Sequence, residues 1–147
     1  MENNAIMGQE HTNILLVEDR FDDMEMIKRK FMSRNIKCKL IIVRNGEDVL
    51  EYLCHKEKYS DNGKFNDIKL IILDIRIPKI NGFEVLRMIK SDKTLKKIPV
   101  VILTASTASK DILESFDIGC EHYIAKSVGF EKFEKTLEPI IKHYLRK

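Results

Sequence analysis

The sequence predicts a doubly wound α/β domain built on an open parallel sheet. Five short apolar runs alternate along the chain with segments of helical periodicity. The apolar runs are nearly continuous and do not alternate with polar residues, which is typical of strands covered on both faces. Five such units are too few for an eight-stranded barrel, so we expect an open sheet with helices on both faces.

The first half of the chain contains two predicted strands, two helices and a loop. Asn13–Glu18 (NILLVE) and Leu40–Val43 (LIIV) are compact apolar runs that predict strands. A helical stripe follows each strand, and Asp22 or Asp23 can cap the first helix. The polar segment from His55 to Asp67 predicts a long loop. The two stripes consist of Met24, Ile27 and Phe31, and of Val49, Leu50 and Leu53.

The second half continues the alternation. Three further strands are predicted, at Ile68–Ile75, Pro99–Thr104 and His122–Ala125. The first two helices after them are predicted over Phe83–Ser91 and around Ile112 and Phe116, the second of which ends at Gly119. The final helix is predicted along Phe130–Tyr144. Pro139 lies within the last stripe, and we expect it to kink that helix or to mark where its first part ends.

The composition argues against several classes of protein. A chain of 147 residues corresponds to one domain, and 26 basic against 23 acidic side chains give a charge too even to suggest nucleic-acid binding. No apolar run approaches the ~18 residues of a membrane span, and residues 1–12 read as a loose tail without a signal core. Three cysteines without C-x-x-C spacing indicate neither a disulfide framework nor a zinc site, and they fit a reducing cytoplasm.

Polar residues gather where the predicted strands end. Glu18 and Asp19 follow the first strand, Asp74 the third, Thr104 the fourth and Lys126 the fifth. In an open parallel sheet these ends share one edge, where ligands bind. Clustered carboxylates repel one another unless a cation joins them, and such hard oxygen ligands suit Mg²⁺. A hydroxyl and an ammonium beside them indicate that a phosphoryl group arrives there, with an Asp carboxylate as its nucleophile.

The chain resembles the receiver domain of two-component response regulators. The matching segments are ILLVEDR (14–20), LIILDIRIPKINGFEVL (70–86), PVVILTAS (99–106) and GCEHYIAKS (119–127). Asp74, Pro78 and Gly82 reproduce the characteristic Asp-x-x-x-Pro-x-x-x-Gly pattern. The resemblance implies a flavodoxin-like sheet of strand order 2-1-3-4-5. It also implies a flexible N-terminal tail at 1–12, a receiver domain over 13–147 and no output domain.

The resemblance further implies how the acceptor and the metal are bound. Asp74 accepts a phosphoryl group from a phosphohistidine on a sensor histidine kinase. Asp19 and Asp74 ligate Mg²⁺ directly, Glu18 holds it through water, and the backbone carbonyl of Arg76 completes the protein ligands.

Other residues are expected to bind the phosphoryl group and to report its arrival. The resemblance implies that Thr104, Lys126 and the backbone N–H of Ala105 bind phosphoryl oxygens. Tyr123 falls at the family's switch aromatic, so Thr104 is expected to move toward the phosphoryl group while Tyr123 turns inward behind it.

Within the family, the chain is most similar to single-domain regulators of the bacterial phytochrome type. The polar insertion before the third strand, the stretch SDKTLKKIPVVILTAS (91–106) and a last helix running to the chain end carry this similarity. It implies a phytochrome-like sensor kinase as partner and output through protein–protein contact. Homodimerisation through the fourth helix, fifth strand and fifth helix is compatible with it, whereas no nucleic-acid or membrane partner is expected.

Two positions depart from the family or raise questions. Ser127 stands where the family has a proline after a cis peptide bond. Either the cis bond is kept, at a cost of ~2.5–4 kcal/mol, or the bond is trans and Lys126 sits differently. The Arg76 side chain either covers the acceptor or is solvated, with Glu18 and Glu47 as candidate partners.

Two alternatives belong to other functional classes. A Mg²⁺-dependent phosphatase of the haloacid-dehalogenase type needs a second Asp two residues after its nucleophile, and this chain has Arg76 there. A phosphate-independent receiver-like interaction module is favoured by Ser127. The complete set of carboxylates, hydroxyl and ammonium argues against that module.

Overall fold

The computed structural model describes residues 2–4, 13–54 and 68–146. The predicted loop at 55–67 and most of the predicted N-terminal tail therefore lie outside the described residues. The described strands are β1 (Glu2–Asn4), β2 (Asn13–Val17), β3 (Lys39–Val43), β4 (Ile68–Leu73), β5 (Val100–Thr104) and β6 (His122–Ala125). The described α-helices are α1 (Phe21–Ser33), α2 (Gly46–Cys54), α3 (Gly82–Ser91), α4 (Ser109–Ile118), α5 (Lys126–Glu131) and α6 (Leu137–Leu145).

The strands form one sheet in the order β1-β3-β2-β4-β5-β6. Strands β2 to β6 are parallel, so the predicted doubly wound sheet of order 2-1-3-4-5 is confirmed. Leu15 of β2 lies opposite Ile41 of β3 on one side and Ile71 of β4 on the other. Every residue of β2 and β5 is buried, which explains why these strands appear as unbroken apolar runs.

The expectation of a loose N-terminal tail is wrong for its first residues. Glu2–Asn4 forms β1, which pairs antiparallel with β3 so that Asn3 lies opposite Ile41. Without β1, β3 would present a row of unpaired N–H and C=O groups at the edge of the sheet. Because β1 satisfies those groups through its backbone, a short polar sequence can form it without any apolar pattern.

Alternating side chains of the strands build two apolar layers. Leu15 and Val17 face the layer formed with α2 and α3, whereas Ile14 and Leu16 face the layer formed with α1 and α6. The stripes predicted on α1, α2 and α3 lie in these layers, as do Phe133, Leu137 and Ile141 of the last stripe, so helices pack on both faces of the sheet. The polar ends of the strands are thereby held in a fixed relation at one edge. The stripe predicted through Ile112 and Phe116 is wrong, because Phe116 is exposed and the buried residues of α4 are the polar Asp111 and Ser115.

Two local predictions have different outcomes. The first helix does not use Asp22 or Asp23 as its cap: the N-cap is Arg20, without a side-chain bond, and the two aspartates lie in the first turn. The C-terminal stripe is broken into α5, a 3₁₀ turn and α6, as expected, but Pro139 does not mark the break, because α5 already ends at Glu131. Pro139 lies in the first turn of α6, where a backbone N–H needs no helical partner.

Candidate functional site

The residues predicted to form the site meet at the carboxyl edge of the sheet. Loops after β2, β4, β5 and β6 surround a cavity of about 940 Å³. The predicted residues that line it are Asp19, Asp74, Arg76, Thr104, Ala105 and Lys126. The prediction that chemistry gathers at this edge is therefore consistent with the fold.

The ammonium of Lys126 is the centre of this site. Its Nζ lies 2.8 Å from Asp74 Oδ2, 3.0 Å from Glu18 Oε1 and 2.6 Å from Asp23 Oδ2. An ammonium has three N–H donors, so each of these carboxylates takes one of them. The sequence predicted Asp74 and Glu18 near Lys126, but it missed Asp23, which pattern alone had marked as a possible helix cap.

Burial and charge determine how these groups titrate. Burial raises the pKa of Glu18 to about 7, and the charge of Asp74 adds to the rise, while Lys126 partly offsets it. The backbone N–H of Arg20 also donates to Glu18 Oε2 at 3.1 Å. Burial acts to lower the pKa of Lys126, but hydrogen bonds to Asp23, Asp74 and Glu18 outweigh it and leave that pKa above its ordinary value. Lys126 is therefore a cation at neutral pH.

Asp74 is held on both of its oxygens. Oδ2 accepts from Lys126, and Oδ1 accepts from the backbone N–H of Arg76 at 3.1 Å. The loop that follows folds back through the N–H of Gly82, which donates to the carbonyl of Ile75 at 2.7 Å. A Cβ at position 82 would lie 2.6 Å from the carbonyl oxygen of Asp74, so this close approach requires glycine. The glycine of the sequence motif thus allows the loop to pack closely against the backbone of Asp74.

Thr104 offers a hydroxyl with no partner. Its side chain is fully buried at the end of β5, and its Oγ1 makes no hydrogen bond. A buried polar group left unsatisfied costs ~1–3 kcal/mol, and such groups are rare enough to need an explanation. Thr104 and Ala105 line the same cavity as Asp74, so a ligand oxygen there could satisfy the hydroxyl.

The carboxylates do not form a ready-made metal cluster. Glu18 and Asp74 both contact Lys126, while Asp19 lines the cavity. Within 2–4, 13–54 and 68–146, no three Asp, Glu, His or Cys side chains are arranged to hold a metal ion. The donor set still suits a hard divalent cation, because it is made of carboxylate oxygens at one edge of the sheet. The ammonium between two of them explains why the expected cluster is not assembled.

The side chain of Arg76 turns away from its expected partners. Its Nη2 lies 3.7 Å from Asp111 Oδ2, and 70% of the side chain is exposed. Neither Glu18 nor Glu47 pairs with it: Glu18 faces Lys126, and Glu47 Oε1 lies 3.3 Å from Lys79 Nζ. Asp111 was missed because it lies on α4, far from Arg76 in the sequence.

Tyr123 occupies an inward position. Its ring packs against the apolar layer formed with α2 and α3, and its hydroxyl donates to the backbone carbonyl of Ser106 at 2.9 Å. The Ser106 hydroxyl in turn donates to Asp111 Oδ2 at 2.6 Å. A chain of hydrogen bonds therefore connects the predicted switch aromatic to the loop that follows Thr104.

The bond between Lys126 and Ser127 is trans, since the described residues contain no cis peptide. Of the two alternatives that Ser127 left open, the structure shows the trans bond. Lys126 nevertheless reaches Asp74, because it begins α5 and its side chain extends back over the ends of β2 and β4.

Comparisons with known proteins agree with this geometry. The model of the response regulator receiver domain matches residues 14–138, so the chain belongs to that family. The response regulator Rcp1 of Synechocystis is 34% identical over 132 residues, which cover 90% of this chain and 88% of Rcp1. The probable methanogenesis regulatory protein FilR2 of Methanothrix harundinacea is 33% identical over 132 residues, covering 90% of this chain and 83% of FilR2.

The particular branch of the family is indicated by a solved structure. The phosphorylated cyanobacterial phytochrome response regulator RcpA is 35% identical and superposes with a TM-score of 0.79, covering 92% of this chain and 94% of that chain. The Mn²⁺-bound form of Rcp1 superposes with a TM-score of 0.78 at 32% identity, covering 91% and 94%. The resemblance to regulators of the phytochrome type is thus confirmed. Among the described residues, no helix is both long and apolar enough to cross a membrane.

Proposed function

We propose that this protein is a response regulator whose receiver domain accepts a phosphoryl group on Asp74 from a sensor histidine kinase, with Mg²⁺, and signals by protein–protein contact. One observation carries the proposal. The buried carboxylate of Asp74 accepts a hydrogen bond from Lys126, and Thr104, whose hydroxyl has no partner, lines the same cavity as Asp74. This combination supplies a nucleophile, a cation and a hydrogen-bond donor that a phosphoryl group would use.

The transfer forms one bond and breaks another. A carboxylate oxygen of Asp74 attacks phosphorus, an O–P bond forms, and the N–P bond to the kinase histidine breaks. The bonding pair of the broken bond stays on the histidine nitrogen. Lys126 neutralises negative charge on the phosphoryl oxygens, and the hydroxyl of Thr104 and the N–H of Ala105 donate hydrogen bonds to them.

The metal would be held by Asp19, Asp74 and the backbone carbonyl of Arg76, with Glu18 acting through water. When bound, Mg²⁺ neutralises charge between the attacking carboxylate and the phosphoryl oxygens. The Mn²⁺ named for Rcp1 supports a divalent cation in this family. Because Lys126 Nζ contacts both Glu18 and Asp74, Glu18 would have to release the ammonium before it could act on the metal.

The signal leaves the site through the loop after β5. Thr104 is followed by Ser106, whose carbonyl holds the Tyr123 hydroxyl. A phosphoryl group that engages Thr104 would shift this loop, and Tyr123 would report the shift to the face formed by α4, β6 and the C-terminal helices α5 and α6. Leu113 and Phe116 are exposed on α4, which supports contact with a partner or a second copy there. The free, buried thiols of Cys38 and Cys120 fit a reducing cytoplasm.

The proposal is tested by locating the phosphoryl group. The protein is incubated with Mg²⁺ and acetyl phosphate, the acyl phosphate is trapped with borohydride, and the peptides are mapped by mass spectrometry. We expect the modification on the peptide containing Asp74 and its loss when EDTA replaces Mg²⁺. If no peptide is modified, the incubation is repeated with a phosphorylated histidine kinase. Failure there would favour the phosphate-independent interaction module.

A further inference from the structure

We propose that Asp23 is a positioning residue for Lys126, holding its ammonium beside Asp74 while the metal takes Glu18. This inference rests on the proposed function and adds a fourth carboxylate to the site. The contact between Lys126 and Asp23 is the shortest that the ammonium makes, at 2.6 Å. Asp23 lies in the first turn of α1, and 103 residues separate it from Lys126 in the sequence.

The three carboxylates around the ammonium have different roles in the proposed reaction. Glu18 is expected to turn to the metal, and Asp74 becomes the phosphorylated group. Asp23 is neither acceptor nor expected metal ligand, so its contact with Lys126 can persist throughout the transfer. A lysine side chain is long and flexible, and a fixed second anchor keeps its charge where the phosphoryl oxygens arrive.

The surroundings of Asp23 favour this pairing. The side chain of Asp23 is 18% exposed and that of Lys126 is 9% exposed, so water screens their contact only weakly. Arg20 also approaches the same oxygen of Asp23, but at 3.4 Å and with 66% of its side chain exposed. Lys126 is therefore the stronger partner of Asp23.

The change in transfer rate on removal of Asp23 has opposite signs for a positioning role and for a purely electrostatic role. If Asp23 only adds negative charge to the pocket, its removal would reduce repulsion of the incoming phosphoryl donor and speed the transfer. If Asp23 positions Lys126, its removal lets the ammonium leave its place, and the transfer slows. The sign of the rate change distinguishes the two roles.

The first test compares the rates at which acetyl phosphate modifies the wild type, Asp23→Asn and Asp22→Asn at saturating Mg²⁺. Asp22 is the matched control, because it is exposed in the same helical turn and its substitution removes the same charge. We expect Asp23→Asn to react roughly tenfold more slowly, since misplaced catalytic groups lose rates of this order. Asp22→Asn should stay within about twofold of the wild type. An equal or faster rate for Asp23→Asn would overturn the proposal.

The second test needs no phosphoryl transfer and no metal. The ammonium of a firmly held lysine gives a detectable ¹H–¹⁵N signal, which the Lys126→Met variant would assign by its absence. We expect this signal in the wild type and in Asp22→Asn, and a weakened and shifted signal in Asp23→Asn, where Glu18 and Asp74 remain as partners. A wild type without the signal, or an unchanged signal in Asp23→Asn, would contradict the role of Asp23. If the wild type takes no phosphoryl group, the proposed function fails, while the signal still decides this inference.

Discussion

Replacing Lys126 with methionine removes the cation that three carboxylates share. Methionine fills the space of the lysine stem but leaves the carboxylates of Glu18, Asp23 and Asp74 facing one another without a cation. Two of these carboxylates are buried, since the Glu18 side chain is 1% exposed and the Asp74 side chain is 4% exposed. Removing one partner of a buried ion pair costs ~3–5 kcal/mol. Because Glu18 already titrates at a pKa of about 7 and can take up a proton, we expect the lower end of that range. The predicted loss in the free energy of unfolding is about 3 kcal/mol at pH 7.5 without metal.

The loss should depend on pH and on metal. The folded protein raises the pKa of Glu18 above its ordinary value of 4.5, so protonation of Glu18 favours the folded state. The variant, which lacks the ammonium, should therefore recover stability relative to the wild type as the pH falls from 8 to 6. Mg²⁺ should also restore part of the loss by replacing the missing charge.

Urea unfolding followed by circular dichroism measures these differences. It should be run in EDTA and in Mg²⁺, at both ends of the pH range. Lys93→Met is a suitable control, since Lys93 is exposed and lies in the loop after α3. A loss of less than about 1 kcal/mol in EDTA, as for a surface pair, would refute the view that the ammonium neutralises the three carboxylates.

Three further predictions concern single positions. Thr104→Val removes an unpartnered buried hydroxyl, so we expect the free energy of unfolding to stay equal or to rise by about 1 kcal/mol. Phosphorylation by acetyl phosphate should become slower. A clear loss of stability in urea unfolding would show that the hydroxyl is bonded. Gly46→Ala should lower the free energy of unfolding by about 1–3 kcal/mol, because a Cβ there would overlap the backbone carbonyl of Ile80. An unchanged free energy in urea unfolding would contradict the close approach of Gly46 to Ile80. Because the pKa of Glu18 is about 7, the affinity for Mg²⁺ measured by calorimetry should fall roughly tenfold from pH 8 to pH 6. Glu18→Gln should flatten that dependence, and an equal slope in this variant would assign it to another group.

The strands and the edge of the sheet that carries the site could be predicted because each depends on local sequence. A strand buried on both faces is apolar over most of its length, as β2 and β5 are apart from Asn13 and Thr104 at their ends. Parallel strands bring their carboxyl ends to one edge, so Glu18, Asp74 and Thr104 could be grouped without any coordinates. Strand β1 could not be predicted, because backbone pairing at an edge leaves no signature in a sequence such as Glu-Asn-Asn.

Pairings between distant side chains were the part that the sequence did not predict. Asp23 lies in the first helical turn, where a carboxylate is ordinary, and its contact with Lys126 depends on how the fold places the start of α1 beside the start of α5. Arg76 likewise pairs with Asp111 on α4, although Glu18 and Glu47 were its expected partners. The proposed metal site shows the same dependence, since the ammonium of Lys126 lies between the carboxylates of Glu18 and Asp74.

The central claim is that Asp74 accepts a phosphoryl group. Its most direct test is the intact mass of the wild type and of Asp74→Asn after incubation with Mg²⁺ and a phosphoryl donor, first acetyl phosphate and then a phosphorylated histidine kinase. We expect the wild type to gain one phosphoryl group and the variant to gain none. A gain by both would place the acceptor elsewhere, and no gain by the wild type with either donor would contradict the proposed function.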